Sequence, residues 1–251
     1  MLVEWMPASA AQLAYAMAVV LLAGVVRGFA GFGFSALTVA GMSLFFSPAQ
    51  VVPVAFVLEV LASLALLRSV WREIDWDWLR PLLIGNAVAI PLGVWMLAVV
   101  PEGPLRAIVS IVILTAAVLL LSGIKAPWPD TPGLRLGTGF VSGIFNGLAA
   151  IGGMAVAVML FATSISGAAA RATLIALFFA TDLYSLAWAG GNGLLDSMLL
   201  RWVGWLLVPM LIGIAIGRQH FLRVDEAGFR RGVLRVLAIM AGLGLIRAMW
   251  Q

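Results

Sequence analysis

Cysteine is absent from the sequence, and His220 is the single histidine among its 251 residues. Without thiolates or a second imidazole, the chain cannot form disulfides, iron–sulfur clusters, thiolate zinc sites or multi-histidine metal and haem sites. We therefore expect neither a metal nor a cofactor, and we assign no catalytic residues.

Charged residues are also scarce, at 10% of the chain, whereas soluble domains carry about 25%. Hydrophobic residues make up 63% of the chain, the mean hydropathy is +1.12, and no stretch is polar enough for a separate soluble domain. This composition predicts an all-α polytopic membrane protein in contact with the lipid bilayer. The 15 basic residues are scattered between apolar runs, so the high pI reflects membrane orientation and not nucleic-acid binding.

Ten apolar segments follow one another with short gaps. They are residues 11–27, 31–46, 49–70, 78–100, 104–122, 134–149, 150–163, 168–190, 197–217 and 229–250. The first segment is preceded by Glu4 and by no Lys or Arg, unlike a signal peptide, so we treat it as part of the mature protein. A full crossing takes about 20 residues. The pairs 11–27/31–46 and 134–149/150–163 therefore either cross twice or turn back inside the membrane as re-entrant hairpins.

The two halves of the chain resemble each other. A proline-rich linker, residues 125–133, separates a first membrane repeat, residues 1–124, from a second, residues 134–251. A shift of 119 residues aligns "GVVRGFAGFGF", which starts at Gly24, with "GIFNGLAAIGG", which starts at Gly143. Each half has an odd number of crossings, so the pattern predicts two inverted-topology repeats, as in many secondary transporters.

The distribution of basic residues predicts the orientation. With ten crossings, twelve of the fifteen basic residues lie on one side and Arg106, Arg201 and Arg247 on the other. The positive-inside rule makes the first side cytoplasmic and places both termini outside.

Two acidic residues lie well inside apolar segments, where ionisable groups are costly and often functional. They are Glu59 and Asp182. The 119-residue shift places Asp182 opposite Ser63, one helical turn beyond Glu59 and on the same face. The two acids could form a proton or cation relay, pair with a buried arginine, or be protonated and hydrogen-bonded between helices.

Arg27 lies among glycines in the first repeat element. If segments 1 and 2 both cross, Arg27 is an interfacial residue that extends toward the cytoplasm. If they form a re-entrant hairpin, Arg27 lies at its buried tip. There Gly28, Gly31 and Gly33 would bring backbone N–H groups close to an anion, and the guanidinium would bind its oxygens.

The second repeat element offers a matching set. Asn146 is the counterpart of Arg27 and could donate to the same ligand, with Gly147 and Gly152 in the positions of Gly28 and Gly33. Alternatively, Asn146 bonds between helices and the glycines serve close packing. Arg171, at the start of segment 8, is either a cytoplasmic anchor or a gate. Polar residues such as Ser35 are better explained by packing.

These motifs resemble those of the TauE/SafE family, the sulfite exporter or 4-toluenesulfonate uptake permease superfamily. "RGFAGFGFS" in the first half and "SGIFNGLAAIGG" in the second carry the resemblance. Phe32, Phe34 and Ala150 interrupt the fuller glycine runs of many members, and the proline expected near Gly41 is missing. The resemblance implies transport of sulfite, sulfoacetate or taurine-like sulfonates across a bacterial inner membrane.

The sequence thus predicts a secondary transporter of a small, sulfur-containing anion. Arg27 and Asn146 would bind the anion, and Glu59 or Asp182 would carry a coupling proton. The alternative is a membrane-embedded enzyme that uses Glu59 and Asp182 as an acid pair. A homo-oligomer is compatible with either hypothesis.

Overall fold

The computed structural model describes residues 9–122, 130–162, 165–220 and 226–250. Within these ranges the chain is all-α, as predicted, with one 3-10 turn, Trp71–Glu73. The helices are α1 Ala10–Ala30, α2 Phe34–Met42, α3 Pro48–Val70, α4 Trp76–Val99, α5 Glu102–Ser122, α6 Pro132–Ala149, α7 Gly152–Ala162, α8 Gly167–Gly191, α9 Ser197–His220 and α10 Glu226–Met249. Most of the predicted linker lies outside the described residues.

Seven of the described helices are long and apolar enough to cross a membrane. They are α1, α3, α4, α5, α8, α9 and α10. The prediction of a polytopic membrane protein is therefore confirmed. The ten described helices also match the ten apolar segments of the sequence in order.

The second segment of each pair forms only a short helix. α2 has nine residues and α7 has eleven, which correspond to about 13 and 16 Å against a hydrocarbon core of about 30 Å. Neither helix is long enough to cross. α2 instead returns beside α1, where the Tyr15 hydroxyl donates to the Gly41 carbonyl at 3.0 Å and the Tyr15 and Phe45 rings lie 4.9 Å apart. Of the two arrangements open for this first pair, the structure has the hairpin.

Local chemistry explains where the long hairpin helices begin and end. Ser9 and Gln12 form a capping box at the start of α1, and the Thr131 side chain caps α6. Both helices end at a residue in the left-handed conformation, Gly31 with φ 77° and Ala150 with φ 56°. Such a residue stops a helix and lets the chain reverse direction.

Glycines bring two pairs of parallel helices into backbone contact. A Cβ atom added to Gly28 in α1 would lie 2.3 Å from the Ile214 carbonyl oxygen in α9, and one added to Gly217 in α9 would lie 3.0 Å from the Gly28 Cα atom. In the other pair, a Cβ atom added to Gly93 in α4 would lie 3.0 Å from the Gly147 Cα atom in α6. Small residues at such contacts are typical of packed membrane helices.

The bundle has two chemically distinct ends. At one, which we call the Trp78 end, the Arg135 guanidinium lies 4.6 Å from the Trp78 ring centroid and donates to the Asp77 carbonyl at 3.0 Å. Arg135 also donates two hydrogen bonds to the Asp130 carboxylate, and these lower the pKa of Asp130 below its ordinary value. This end contains the tryptophans and charged residues of the α3–α4 connection.

At the opposite end, which we call the Arg106 end, Arg106 pairs with Glu102 at 2.6 Å and donates to the Phe46 carbonyl at 3.4 Å. The Phe46 ring lies 4.8 Å from that of Trp202. Because α3 starts at this end and finishes at the Trp78 end, the middle of α3 lies deep inside the bundle. Glu59 lies at that depth, whereas Arg106 is buried at the end of the bundle that bears its name.

Candidate functional site

Arg27 lies in the last turn of α1 and is completely buried, with 0% of its surface exposed. Its Nη2 atom lies 2.7 Å from Glu59 Oε1 and 2.8 Å from Ser63 Oγ, to which it donates. Nη1 donates to the Gly31 carbonyl, and the guanidinium lies 4.7 Å from the Phe178 ring centroid. The expectation of an interfacial arginine is therefore wrong, and Arg27 occupies the buried position.

Glu59 is the counter-ion of Arg27. It lies in the middle of α3 and is 1% exposed. One carboxylate oxygen faces Arg27, and the other accepts a hydrogen bond from the Ser35 hydroxyl at 2.6 Å. Because burying an unpaired charge is costly, this pair depends on both partners being present.

The second half contains a similar buried pair, Asn146 and Asp182, in which an uncharged amide takes the place of the arginine. Asn146 in α6 is 1% exposed, and its amide donates to Asp182 Oδ1 at 2.7 Å and to Ser185 Oγ at 3.3 Å. Asp182 is 1% exposed as well, and its Oδ2 atom has no hydrogen-bond partner among the described residues.

The contacts of the two halves occupy equivalent positions. Arg27 and Ser63 are 36 residues apart, as are Asn146 and Asp182. The charges of Arg27, Glu59 and Asp182 also act on one another. The structure thus brings together four of the residues predicted for binding and coupling.

A small cavity separates the turns of the two hairpins. Gly33 and Ala150 line it from the turns, Glu59 from α3 and Phe178 from α8. Its volume is about 10 Å³, close to the minimum for one water molecule. This space is too small for a ligand larger than water.

The glycines predicted to bind the anion have different roles. Gly33, with φ 89°, lies at the cavity, and Gly31 ends α1 beneath the Arg171 side chain. Gly28 and Gly147 do not lie at the cavity but in the helix contacts described above. For these two, close packing is the explanation that the structure supports.

Gly152 and Arg171 lie beside the cluster. A Cβ atom added to Gly152 would lie 2.7 Å from the Asn146 Cβ atom, so this glycine packs against the predicted ligand-binding amide. Arg171 Nη2 donates to the Gly28 carbonyl at 3.0 Å. This bond ties the start of α8 to the end of α1.

Sequence reasoning missed several members of the cluster. Ser35, expected to serve packing, bonds to Glu59, and Ser185 and Phe178 were not singled out. Ser63 was noted only as the counterpart of Asp182, although its place one turn from Glu59 indicated a shared face. Ser185 lies three residues after Asp182 and Phe178 four residues before it, so the spacing of both indicated a shared helix face.

Together, seven described helices long and apolar enough to cross a membrane, the α1–α2 hairpin and the buried charge cluster define a polytopic helical membrane protein with a buried polar site. The residues described by the structure contain no group of three or more metal-ligating side chains.

The particular family follows from comparison with known proteins. The model of the sulfite exporter TauE/SafE family matches residues 16–243, so the chain belongs to that family. Membership indicates a multi-pass membrane transporter of sulfur anions, in line with the expectation that the protein is not an enzyme. No curated protein and no solved structure matches the chain.

Proposed function

We propose that the protein is a secondary transporter of a small sulfur-containing anion, an organosulfonate, sulfite or a related species. It works by alternating access between two inverted repeats in a bacterial inner membrane. The observation that carries this proposal is the buried cluster of Arg27, Glu59, Asn146 and Asp182 beside the turns of two hairpins.

Arg27 is the residue best suited to bind the anion. Its Nε atom has no hydrogen-bond partner among the described residues, and a guanidinium can hold two oxygens of a sulfonate or sulfite at once. Binding in this way requires the cavity to open toward one side. The substrate would then share the guanidinium with Glu59, and the Asn146 amide could donate to a further oxygen.

Repeated contacts support the alternating-access part of the proposal. Gly217 in α9 packs against Gly28 in α1, and Gly93 in α4 packs in the same way against Gly147 in α6. Gly28 and Gly147 are 119 residues apart, the same shift that aligns the two halves of the sequence. The hairpin pairs α1–α2 and α6–α7 occupy the same positions in the two halves. Two similar halves of opposite topology can exchange conformations, so that the site opens to either side in turn.

The substrate class can be tested by thermal stability. A ligand that binds only the folded protein raises the unfolding temperature as its concentration exceeds its dissociation constant. We expect sulfonates or sulfite to stabilise the purified protein more than carboxylates of similar size. Stabilisation by carboxylates alone would contradict the assignment to sulfur anions.

Transport can be tested in proteoliposomes reconstituted with the purified wild-type protein or with a variant. We expect the wild type and the Gly204→Ala control to exchange the stabilising anion, because a Cβ atom at Gly204 meets nothing within 4 Å. We expect Arg27→Gln to abolish exchange. Exchange at the wild-type rate by folded Arg27→Gln would overturn the role of Arg27.

A further inference from the structure

The two buried carboxylates differ in how their oxygens are bonded. Glu59 Oε1 has no hydrogen-bond partner among the described residues but lies 2.7 Å from the Arg27 guanidinium in an ion pair, and Oε2 accepts from Ser35. Asp182 accepts from Asn146 through Oδ1, while Oδ2 is buried and has no hydrogen-bond partner among the described residues. A carboxylate with a bare buried oxygen is poorly stabilised, whereas a carboxylic acid needs fewer acceptor contacts.

The number of charges in the cluster also distinguishes Asp182 from Glu59. The guanidinium of Arg27 is already paired with Glu59 at 2.7 Å, so it can neutralise one carboxylate and not two. The negative charge of Glu59 also acts on Asp182. A second carboxylate charge in this cluster would be buried beside a like charge without a cation of its own.

The helices packed around α8 bring few other charges to Asp182. The groups that face it are Arg27 from α1, Glu59 from α3 and the uncharged Asn146 from α6. The α4 residues after Arg80 and the whole of α7 contain no ionisable side chain. On α8 itself, Arg171 is eleven residues away, about 16 Å along the helix, and Tyr184 lies 37% exposed against Trp188.

We propose that Asp182 is a proton site whose proton binds together with the substrate anion, which makes the protein an anion–proton symporter. This inference rests on the proposed function of anion transport. When the cavity is open to one side, a proton from water forms an O–H bond at Asp182 Oδ2, and the anion binds at Arg27. After the site opens to the other side, the O–H bond breaks, the proton returns to water and the anion leaves.

Binding of the anion at Arg27 and binding of the proton at Asp182 favour each other. An anion at Arg27 adds negative charge beside Asp182 and so favours the neutral acid. By reciprocity, protonation of Asp182 raises the affinity for the anion by the same factor. One proton carried with one monovalent anion moves no net charge.

The first test is the pH dependence of anion binding to the purified protein. The probe is methanesulfonate, because its charge does not change over the pH range used. We expect the wild-type affinity to rise as the pH falls, by up to about tenfold per pH unit for one linked proton. In Asp182→Asn, which mimics the neutral acid, we expect tight binding at all pH values.

The matched control is Asp196→Asn, because it makes the same chemical change in the exposed α8–α9 connection, outside the buried cluster. It should keep the wild-type pH dependence. An unchanged pH dependence in Asp182→Asn would overturn the assignment. Absence of methanesulfonate binding by the wild type at every pH would instead count against the proposed substrate class.

A second test does not depend on the substrate. We expect the infrared C=O band of a buried carboxylic acid in the wild type, its loss in Asp182→Asn, and an unchanged band in Asp196→Asn, which alters an exposed carboxylate outside the cluster. Survival of the band in Asp182→Asn would overturn the proposal.

The mode of coupling can be measured in proteoliposomes. A pH gradient should drive methanesulfonate accumulation by the wild type, while a membrane potential alone should not. Asp182→Asn should exchange methanesulfonate but fail to accumulate it. Accumulation driven by the pH gradient in Asp182→Asn would contradict the proton role, whereas loss of all exchange in the wild type would contradict transport itself.

Discussion

At the residue scale, the main feature is that the buried guanidinium of Arg27 contacts several groups at once. Arg27 contacts Glu59, Ser63 and the Gly31 carbonyl and lies against the Phe178 ring. In a water-poor interior, each partner of such a cluster depends on the others, because a lone buried charge has neither solvent nor a counter-ion. Arg27 is therefore a structural residue as well as a candidate for anion binding.

This dependence predicts a strong energetic coupling between Arg27 and Glu59. We expect Arg27→Gln to lower the free energy of unfolding by about 3–5 kcal/mol, because it leaves the Glu59 carboxylate buried and unpaired. The double variant Arg27→Gln/Glu59→Gln should be destabilised much less than the two single variants combined. Thermal or denaturant unfolding in detergent, followed by tryptophan fluorescence, measures these differences.

The double variant also separates stability from binding. Because it restores electroneutrality without the guanidinium, we expect it to fold and yet to show no stabilisation by sulfonates. Full additivity of the two single effects would show that Arg27 and Glu59 do not form the coupled pair described above.

At the element scale, glycine decides how closely the helices approach. Gly28 and Gly217 let α1 and α9 touch at backbone distance, and Gly147 and Gly93 do the same for α6 and α4. Gly31 and Ala150 then end the long hairpin helices in the left-handed conformation. Glycine therefore serves packing at Gly28 and chain reversal at Gly31, whereas an alanine adopts the left-handed conformation at the second turn.

The packing role predicts that Gly28→Ala is destabilising. The new Cβ atom would lie 2.3 Å from the Ile214 carbonyl oxygen, so the two backbones would have to separate, at a cost of about 1–3 kcal/mol. The midpoint of thermal unfolding in detergent measures the effect. Gly204→Ala in α9 is the control, and it should be neutral or stabilising by up to about 1 kcal/mol because alanine favours the helix. Equal stability of both variants would disprove the close contact.

At the scale of the whole molecule, the two ends of the bundle differ in charge. Arg72, Arg80 and Arg135 belong to the Trp78 end, whereas Arg106 and Arg247 belong to the Arg106 end. From the positive-inside rule we propose that the Trp78 end faces the cytoplasm. The Arg106 end, near the start of α1 and the end of α10, would then face outward, the orientation that the sequence predicts for both termini.

Thiol labelling can test this orientation, because the chain has no native cysteine. Asp196 lies in the exposed α8–α9 connection, and Glu73 is exposed in the 3-10 turn at the Trp78 end. We expect a membrane-impermeant maleimide to label Asp196→Cys in intact cells, and Glu73→Cys only after permeabilisation. The reverse pattern would invert the proposed topology.

Hydropathy and segment length were sufficient to predict a polytopic membrane protein and the order of its helices, because these two properties decide which segments lie in a membrane. It also identified Glu59 and Asp182, since an acid in an apolar run stands out without any structure. The glycine–polar elements around Arg27 and Asn146 led to the same family as the family-model match.

Which of these residues contact one another could be read only from the packing of the helices. It buried Arg27 against Glu59, turned the first pair of segments into a hairpin and assigned Gly28 and Gly147 to helix contacts. It also brought Ser35 and Ser185 into the cluster. The physical reason is that periodicity gives the face of a helix on which a side chain lies, whereas its partner depends on which helices pack together and at what depth.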